Sequence, residues 1–447
     1  MIEKQEAQDL CQQVLRRCRQ AQAEVLLVAE DNHLTRFANN TIHQNVAEHN
    51  LNLIVRYILD GKVGSAVTNR SDAAGIDQAV EMARQNALAS PPDPNFPGLA
   101  EPAGYADTGG YDDRTAAYPA DDRADAAGIV CRLAAEKSLN ASGAFSTEAR
   151  QVAVSNTAGV FAYHAGTVAD FQVTVMGNDS SGRAQASAWR AGEIPTESLG
   201  REAIRKAELG QGPRLVDPGE YTVVFDPYVT QDIVAMLNYH GIGAQAVLDG
   251  RSWMNDRLGQ QVMSPLVDLW DDGSDRRGLP APFDYEGVPK KKVEVVQAGV
   301  VLGPVYDRAT ARKAGVSSTG HAVPPSQRML GPAAGNLFLA PGTTTTEQLI
   351  ASTRRGLYIT RFWYTRQVHP RDCTITGMTR DGVFMIENGE LAYPVKNLRF
   401  TQSYLQALAD VDAIGSETRL LVVEYSGMAT HVPALKIGRF NFTGVTV

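Results

Sequence analysis

A chain of 447 residues is too long for one ordinary core, because single cores stop growing near ~250 to 300 residues, so two or three domains are expected. Its 43% hydrophobic and 21% charged content excludes a disordered or fibrous chain. The formal net charge of -8, with no basic cluster beyond Lys290-Lys291-Lys292, excludes a phosphate-binding surface and hence nucleic acid, and no apolar run approaches the ~18 residues of a membrane span.

Residues 2 to about 20 read as an amphipathic helix, since Ala7, Leu10, Cys11, Val14, Leu15 and Cys18 recur at three-and-four spacing. Charged Glu3, Lys4 and Glu6 open the chain in place of an apolar signal segment, so the expected address is the cytoplasm. Cys11, Cys18, Cys131 and Cys373 form no CxxC pair, and the first two are expected to pack as small hydrophobes. Segments 24–30, 34–46 and 50–57 read as adjacent antiparallel strands. Asp60-Gly61 supplies hairpin chemistry to a return strand over 62–67, and Ser71 or Asp72 caps a helix carrying Ile76, Ala79, Val80, Ala83 and Ala87.

From Ser90 to about Tyr118 prolines and glycines replace aliphatics, the mark of an ordered crossing loop or a linker. An Ala-rich helix over 121–139 follows, then strands over 143–155, 160–167, 169–177 and 184–189, and a helix near 198–208. Gly210-Gln211-Gly212-Pro213 punctuates the next junction. The expected domains are therefore 1–95, 96–212 and a strand-rich 213–447. The class is α+β: two N-terminal blocks with antiparallel sheet and flanking helices, then a β-rich C-terminal domain. Both blocks run helix then strands, but no residue-level repeat establishes a duplication.

Residues 229–239 suit a helix packed on one side through Ile233, Val234, Met236 and Leu237. Around it lie several separated motifs: Leu34 to Asn40, Asp249-Gly250-Arg251-Ser252, Pro282 to Pro289, Ala311 to Gly315 with Ser318 to Ala322, Ile386 to Glu390 with Pro394-Val395-Lys396, and Val432 to Ile437. In this order they resemble the TldD/PmbA family, peptide-processing metalloproteases historically described as modulators of DNA gyrase. The resemblance spans nearly the whole chain and implies that family's β-rich C-terminal domain.

The family's zinc-bearing TldD type carries HExxxH on a helix and a later cysteine; two histidines hold zinc, and the glutamate acts as base on a water whose pKa the metal lowers toward ~7. Aligned through Gly250-Arg251-Ser252, the first histidine position falls on Ala235, the glutamate on Met236 and the second histidine on His240. Anchored on Val432-Pro433, the cysteine position falls near Tyr425, with Cys373 distant in sequence. No histidine in the chain is followed by glutamate. The resemblance is thus to the non-zinc type, called TldE or PmbA. It implies no catalytic residue and no metal here, zinc in a TldD-type partner, and a heterodimer whose chamber accepts unfolded or precursor peptides by backbone pairing.

Plainer readings stand beside these. His240 is a vestigial ligand or, as a lone histidine, a structural or cleft-lining group. Arg251 and Ser252 touch a peptide, with the guanidinium gripping a carboxylate, or form a surface connection. Asp268, Asp271, Asp272 and Asp275 follow no EF-hand spacing and read as a solvated turn. His321 near Ser317, Ser318 and Thr319 lacks a GxSxG elbow and an evident acid, and Gly241-Ile242-Gly243 lacks what a dinucleotide site requires. The competing function is an independent peptide-binding or regulatory homodimer without proteolysis.

Overall fold

The computed structural model describes residues 2–19, 21–423 and 428–445. Helix α1 (Lys4–Arg17) is followed by an antiparallel meander, β1 (Gln22–Ala38), β2 (Thr41–Leu59) and β3 (Lys62–Thr68), and by α2 (Ala73–Ala89). After the short α3 (Asp113–Ala116) the same succession returns as α4 (Ala120–Glu136), β4 (Asn140–Asn156), β5 (Phe161–Met176), β6 (Ser181–Ala188) and α5 (Thr196–Leu209). The strands join in one six-stranded sheet, ordered β3-β2-β1-β4-β5-β6, so the two units meet at β1 and β4.

The repetition absent from residue identities is visible in two glycines. A Cβ on Gly64 of β3 would lie 2.3 Å from the Ala83 carbonyl oxygen and 2.1 Å from the Ala87 nitrogen of α2; one on Gly182 of β6 would lie 2.1 Å from the Ala203 carbonyl oxygen and 2.7 Å from the Ala207 nitrogen of α5. In each unit a glycine on the third strand and two alanines four apart on the last helix let backbone rest on backbone. Helices cover one face of the sheet over two cores, and the other face sets Leu26, Val28, Val154 and Ala162 against Phe283 of the C-terminal half. All four cysteines are free and buried, and burial pushes the Cys11 thiol up to about 12.

Local signals held at the turns. Asp60 and Gly61 are both left-handed, with φ of 51° and 75°, and the Asp72 side chain caps α2 by accepting from the Gly75 nitrogen. The strand breaks did not hold. Expected breaks at Asp31-Asn32 and Ala47-Glu48 lie in mid-strand, and the turn sits inside the expected 34–46 strand, at Asn39 and Asn40 with φ of 50° and 60°. Likewise 160–167 and 169–177 are one strand, β5. The polar residues mistaken for breaks lie where this sheet lines a cleft, so their polarity reflects that surface and not an end of pairing.

The C-terminal half is a 13-stranded sheet. Its strands are β7 (Gly219–Phe225), β8 (Leu269–Asp271), β9 (Val293–Gln297), β10 (Val300–Val301), β11 (Asn336–Leu339), β12 (Arg355–Ile359), β13 (Phe362–His369), β14 (Thr374–Thr379), β15 (Val383–Glu387), β16 (Glu390–Pro394), β17 (Leu398–Ser403), β18 (Val411–Val422) and β19 (Ala429–Val445). The long β19 is the spine: it pairs in parallel with β11 and antiparallel with β7, β17 and β18. Helix α6 (Pro227–Leu237) packs on this sheet through Val229, Ile233, Val234 and Leu237, and α7 (Ala244–Leu248), α8 (Arg308–Ala314), α9 (Thr346–Ala351) and α10 (Tyr404–Ala409) are short. Among the described residues no helix is long and apolar enough to cross a membrane.

Candidate functional site

Helix α6 begins as its sequence dictates, with Asp226 as N-cap and Pro227 at the first helical position. Its end is unusual: Asn238–Ile242 forms one wide π-type turn. Such a turn closes backbone hydrogen bonds five residues apart and widens the helical repeat beyond 3.6 residues, so it turns positions five apart closer to one face than an α-helix does, as an HExxxH spacing requires. The side chains that would use this geometry are different: Ala235 and Met236 are partly buried apolar groups packed against the core.

His240 is 5% exposed and lies edge-on to Tyr239, with ring centroids 4.8 Å apart. Burial, reinforced by the nearby Arg251 cation, lowers its pKa to about 4 and keeps the imidazole neutral. Arg251 is half-exposed, 3.4 Å from Asp249. Ser252 is fully buried and sits in no cleft: its hydroxyl donates to the Gly241 carbonyl at 2.8 Å and accepts from the Met254 nitrogen at 2.9 Å. With Trp253 Nε1 donating to the Leu237 carbonyl at 2.8 Å, these bonds lock the exit of α6. His240 and Arg251 are thus close, while Ser252 serves the backbone. Tyr425 lies outside the described residues, and among those described no three His, Cys, Asp or Glu side chains gather so as to hold a metal ion.

The expected solvated acidic turn is corrected. Asp271 is fully buried: Oδ2 is 2.8 Å from His321 Nε2, and Oδ1 accepts from the Gly335 and Asn336 nitrogens. Burial opposes ionisation, yet His321, Lys290 and the Asn336 N–H together hold this carboxyl below its usual value. Asp268, Asp272 and Asp275 bond separately to the Ala298 nitrogen, Ser274 and Arg277. His321 Nδ1 also meets the Thr319 hydroxyl at 2.9 Å, an acid–imidazole–hydroxyl chain resembling a hydrolase triad. The imidazole side chain has no solvent exposure, and Thr319 is engaged by the Tyr306 backbone, so the chain tethers loops and reaches no substrate.

A cleft of about 330 Å³ crosses the sheet opposite its helices. Asn32, Glu48, Ser146, Glu148 and Asp170 line it, and Val422 of β18 closes it. Burial raises the Glu148 pKa, with Arg150 opposing. Val422 is held from both halves: its nitrogen donates to Ser187 Oγ at 2.9 Å, and its carbonyl accepts from Gln185 at 3.4 Å and from Gln231 of α6 at 3.2 Å. One hydrogen-bond relay therefore joins the cleft to α6. A larger hollow of about 470 Å³, bordered by Lys4, Tyr105 and Tyr163, has no residue of α6 in its wall.

A buried ionic network missed by sequence reasoning fixes α6 to the N-terminal half. Lys206 Nζ of α5 lies 3.1 Å from Asp226 and 2.7 Å from Glu202, Tyr358 donates to Asp226 at 2.7 Å, and Arg419 bridges Glu202 and the Tyr228 hydroxyl. Its members span residues 202 to 419; Glu202 and Lys206 are an i,i+4 pair on α5, but no local pattern connects them to Asp226, Tyr358 and Arg419.

Models of three PmbA/TldA metallopeptidase domains match in chain order: domain 1 over 23–87, the central domain over 104–210 and the C-terminal domain over 218–444. The chain belongs to the PmbA/TldD family. It is 29% identical over 229 residues to a metalloprotease of Methanothermobacter thermautotrophicus, covering 50% of this chain and 49% of that protein. It is 27% identical over 264 residues to the metalloprotease TldD homolog of Haemophilus influenzae, covering 57% of this chain and 54% of that one. The chain therefore spans about half the length of the curated relatives it matches. Crystal structures share the fold: TldE from Thermococcus kodakarensis, with a TM-score of 0.87 at 18% identity over 98% of this chain and 99% of that one, and a candidate modulator of a DNA gyrase from Thermotoga maritima, with 0.88 at 20% over 98% and 100%.

Proposed function

We propose that this chain is the non-zinc, TldE-like subunit of a two-subunit zinc peptidase acting on unfolded or precursor peptides, with a TldD-type partner supplying the metal. The observation that carries this is the combination at α6: a wide turn suited to ligands five residues apart, with Ala235 and Met236 where a ligand and a base would stand, and a lone neutral His240. A single imidazole cannot hold zinc tightly, and without a metal-bound water there is no nucleophile at neutral pH.

In this role the chain shapes the chamber. The cleft between the sheet and Val422 is where an extended peptide would lie, and the relay through Gln231 couples its wall to α6. The test is elemental mass spectrometry for zinc on the purified chain, alone and mixed with an HExxxH-bearing subunit, with peptide cleavage followed in the same samples. Zinc and cleavage only in the mixture support the proposal. A full equivalent of zinc in the lone chain overturns it, and a mixture that neither binds nor cleaves favours an independent peptide-binding homodimer.

A further inference from the structure

Strand β5 loses its outer neighbour halfway along. Beside residues 169–176 it pairs with β6, and at Thr167 the Gly110 carbonyl accepts the next outward N–H at 2.8 Å. The register with β4 runs without a bulge from Met176 to Phe161, so the same alternation turns the N–H and C=O of Phe161, Tyr163 and Ala165 outward as well. Among the described residues none of these groups has a hydrogen-bond partner. They border the hollow of about 470 Å³. Its far wall is the 105–109 loop, pinned from the C-terminal half: the Tyr105 hydroxyl donates to the Gly287 carbonyl at 2.8 Å, and Arg276 donates to the Thr108 carbonyl at 2.9 Å. Thr108, 4% exposed, leaves its own hydroxyl without a partner in that wall.

We propose that this hollow binds a short extended peptide as an added strand on β5. Backbone donors and acceptors repeating every second residue are matched by another backbone, and buried groups of this kind are nearly always paired. The pinned loop walls the edge off from the sheet of a second folded copy and leaves the place to a single chain. Side chains of the added strand would alternate between two surroundings: the Phe161 and Tyr163 rings on the helix-covered face, and His164 with Pro282 on the other. Both suit apolar and β-branched side chains, which pair well with aromatic neighbours across strands. The hollow shares no lining residue with the cleft at Val422, so this is a second peptide site and requires no zinc-bearing partner.

The test adds an end-capped five-residue peptide of alternating valine and threonine to the full chain, with binding read by calorimetry and amide hydrogen exchange by mass spectrometry. Exchange over residues 161–165 should slow on binding. The same peptide N-methylated at its three central amides keeps its side chains but loses donors, and should bind about tenfold or more weakly. Ala165→Pro should weaken binding of the unmethylated peptide to a similar degree, because it removes an outward N–H at an edge position where proline is tolerated. Melting curves check that this variant folds, and the methylated peptide on wild type decides the matter if it does not. Equal binding of the two peptides would mean apolar filling without a ladder and overturns the proposal. Slowed exchange confined to the cleft strands around Asn32, Glu48 and Glu148 overturns it too, while the proposed function stands. No binding at about 5 mM peptide also overturns it.

Discussion

Lys206 of α5 and Asp226 at the start of α6 face each other across the two halves of the chain, Nζ to Oδ2 at 3.1 Å, with both side chains less than a tenth exposed. The aspartate is the N-cap of α6, the helix that carries Ala235 and Met236 and leads into the turn of His240, so the pair orients that helix relative to the cleft. Glu202 and Arg419 complete the surroundings, and these carboxylates raise the Lys206 pKa well above its usual value despite the cost of burial.

Removing one partner of such a pair leaves an uncompensated buried charge. Lys206→Met should therefore cost about 3 to 5 kcal/mol of unfolding free energy, read from urea midpoints. Adding Asp226→Asn to that variant should cost less than the sum of the two single changes, because the stranded charge is gone. Strict additivity would mean that the pair does not couple the two halves.

The paired glycines give a second expectation. A methyl group on Gly64 or Gly182 would lie about 2 Å from helix backbone, which cannot yield as a flexible side chain does. Gly64→Ala and Gly182→Ala should each destabilise by about 1 to 3 kcal/mol or more. Gly192→Ala, with nothing within 4 Å of the added carbon, should be close to neutral in the same thermal melts. A neutral Gly182→Ala would mean that α5 rides higher on β6 than described.

What was legible in the sequence was local. The stripe of Ala7, Leu10, Cys11 and Val14, the Asp72 cap and the Asp60-Gly61 turn each act within a few residues, and each lies where its pattern places it. Polarity misled at the cleft, since Asn32 and Glu48 looked like strand ends and are mid-strand residues that line it. Asp271 with His321 and Lys206 with Asp226 are 50 and 20 residues apart in sequence, so only the folded sheets bring them together. The assignment of Ala235 and Met236 to ligand and base positions comes only from the family resemblance, because both are by themselves ordinary helix residues.

His240 should make stability depend on pH over a defined window. Its folded pKa of about 4 lies below the ordinary value near 6.5, so between these values the unfolded chain binds a proton that the folded chain refuses. Stability from the neutral imidazole is therefore full above about pH 6.5 and declines as pH falls toward about 4. In paired melting curves His240→Gln should show a shallower loss across that window than wild type. Equal slopes would mean that the imidazole is solvated and charges freely.

The wide turn after α6 makes the final prediction. If Asn238–Ile242 brings positions 235 and 240 to one face, then Ala235→His should place two imidazoles within reach of one ion without any change of backbone. This variant should retain more zinc than wild type after dialysis against micromolar zinc, by elemental mass spectrometry, and adding Met236→Glu should not by itself create cleavage, since the site would still lack its third protein ligand. Zinc retention equal to wild type would show that the two positions diverge, and α6 would then keep only the sequence frame of a zinc helix and not its geometry.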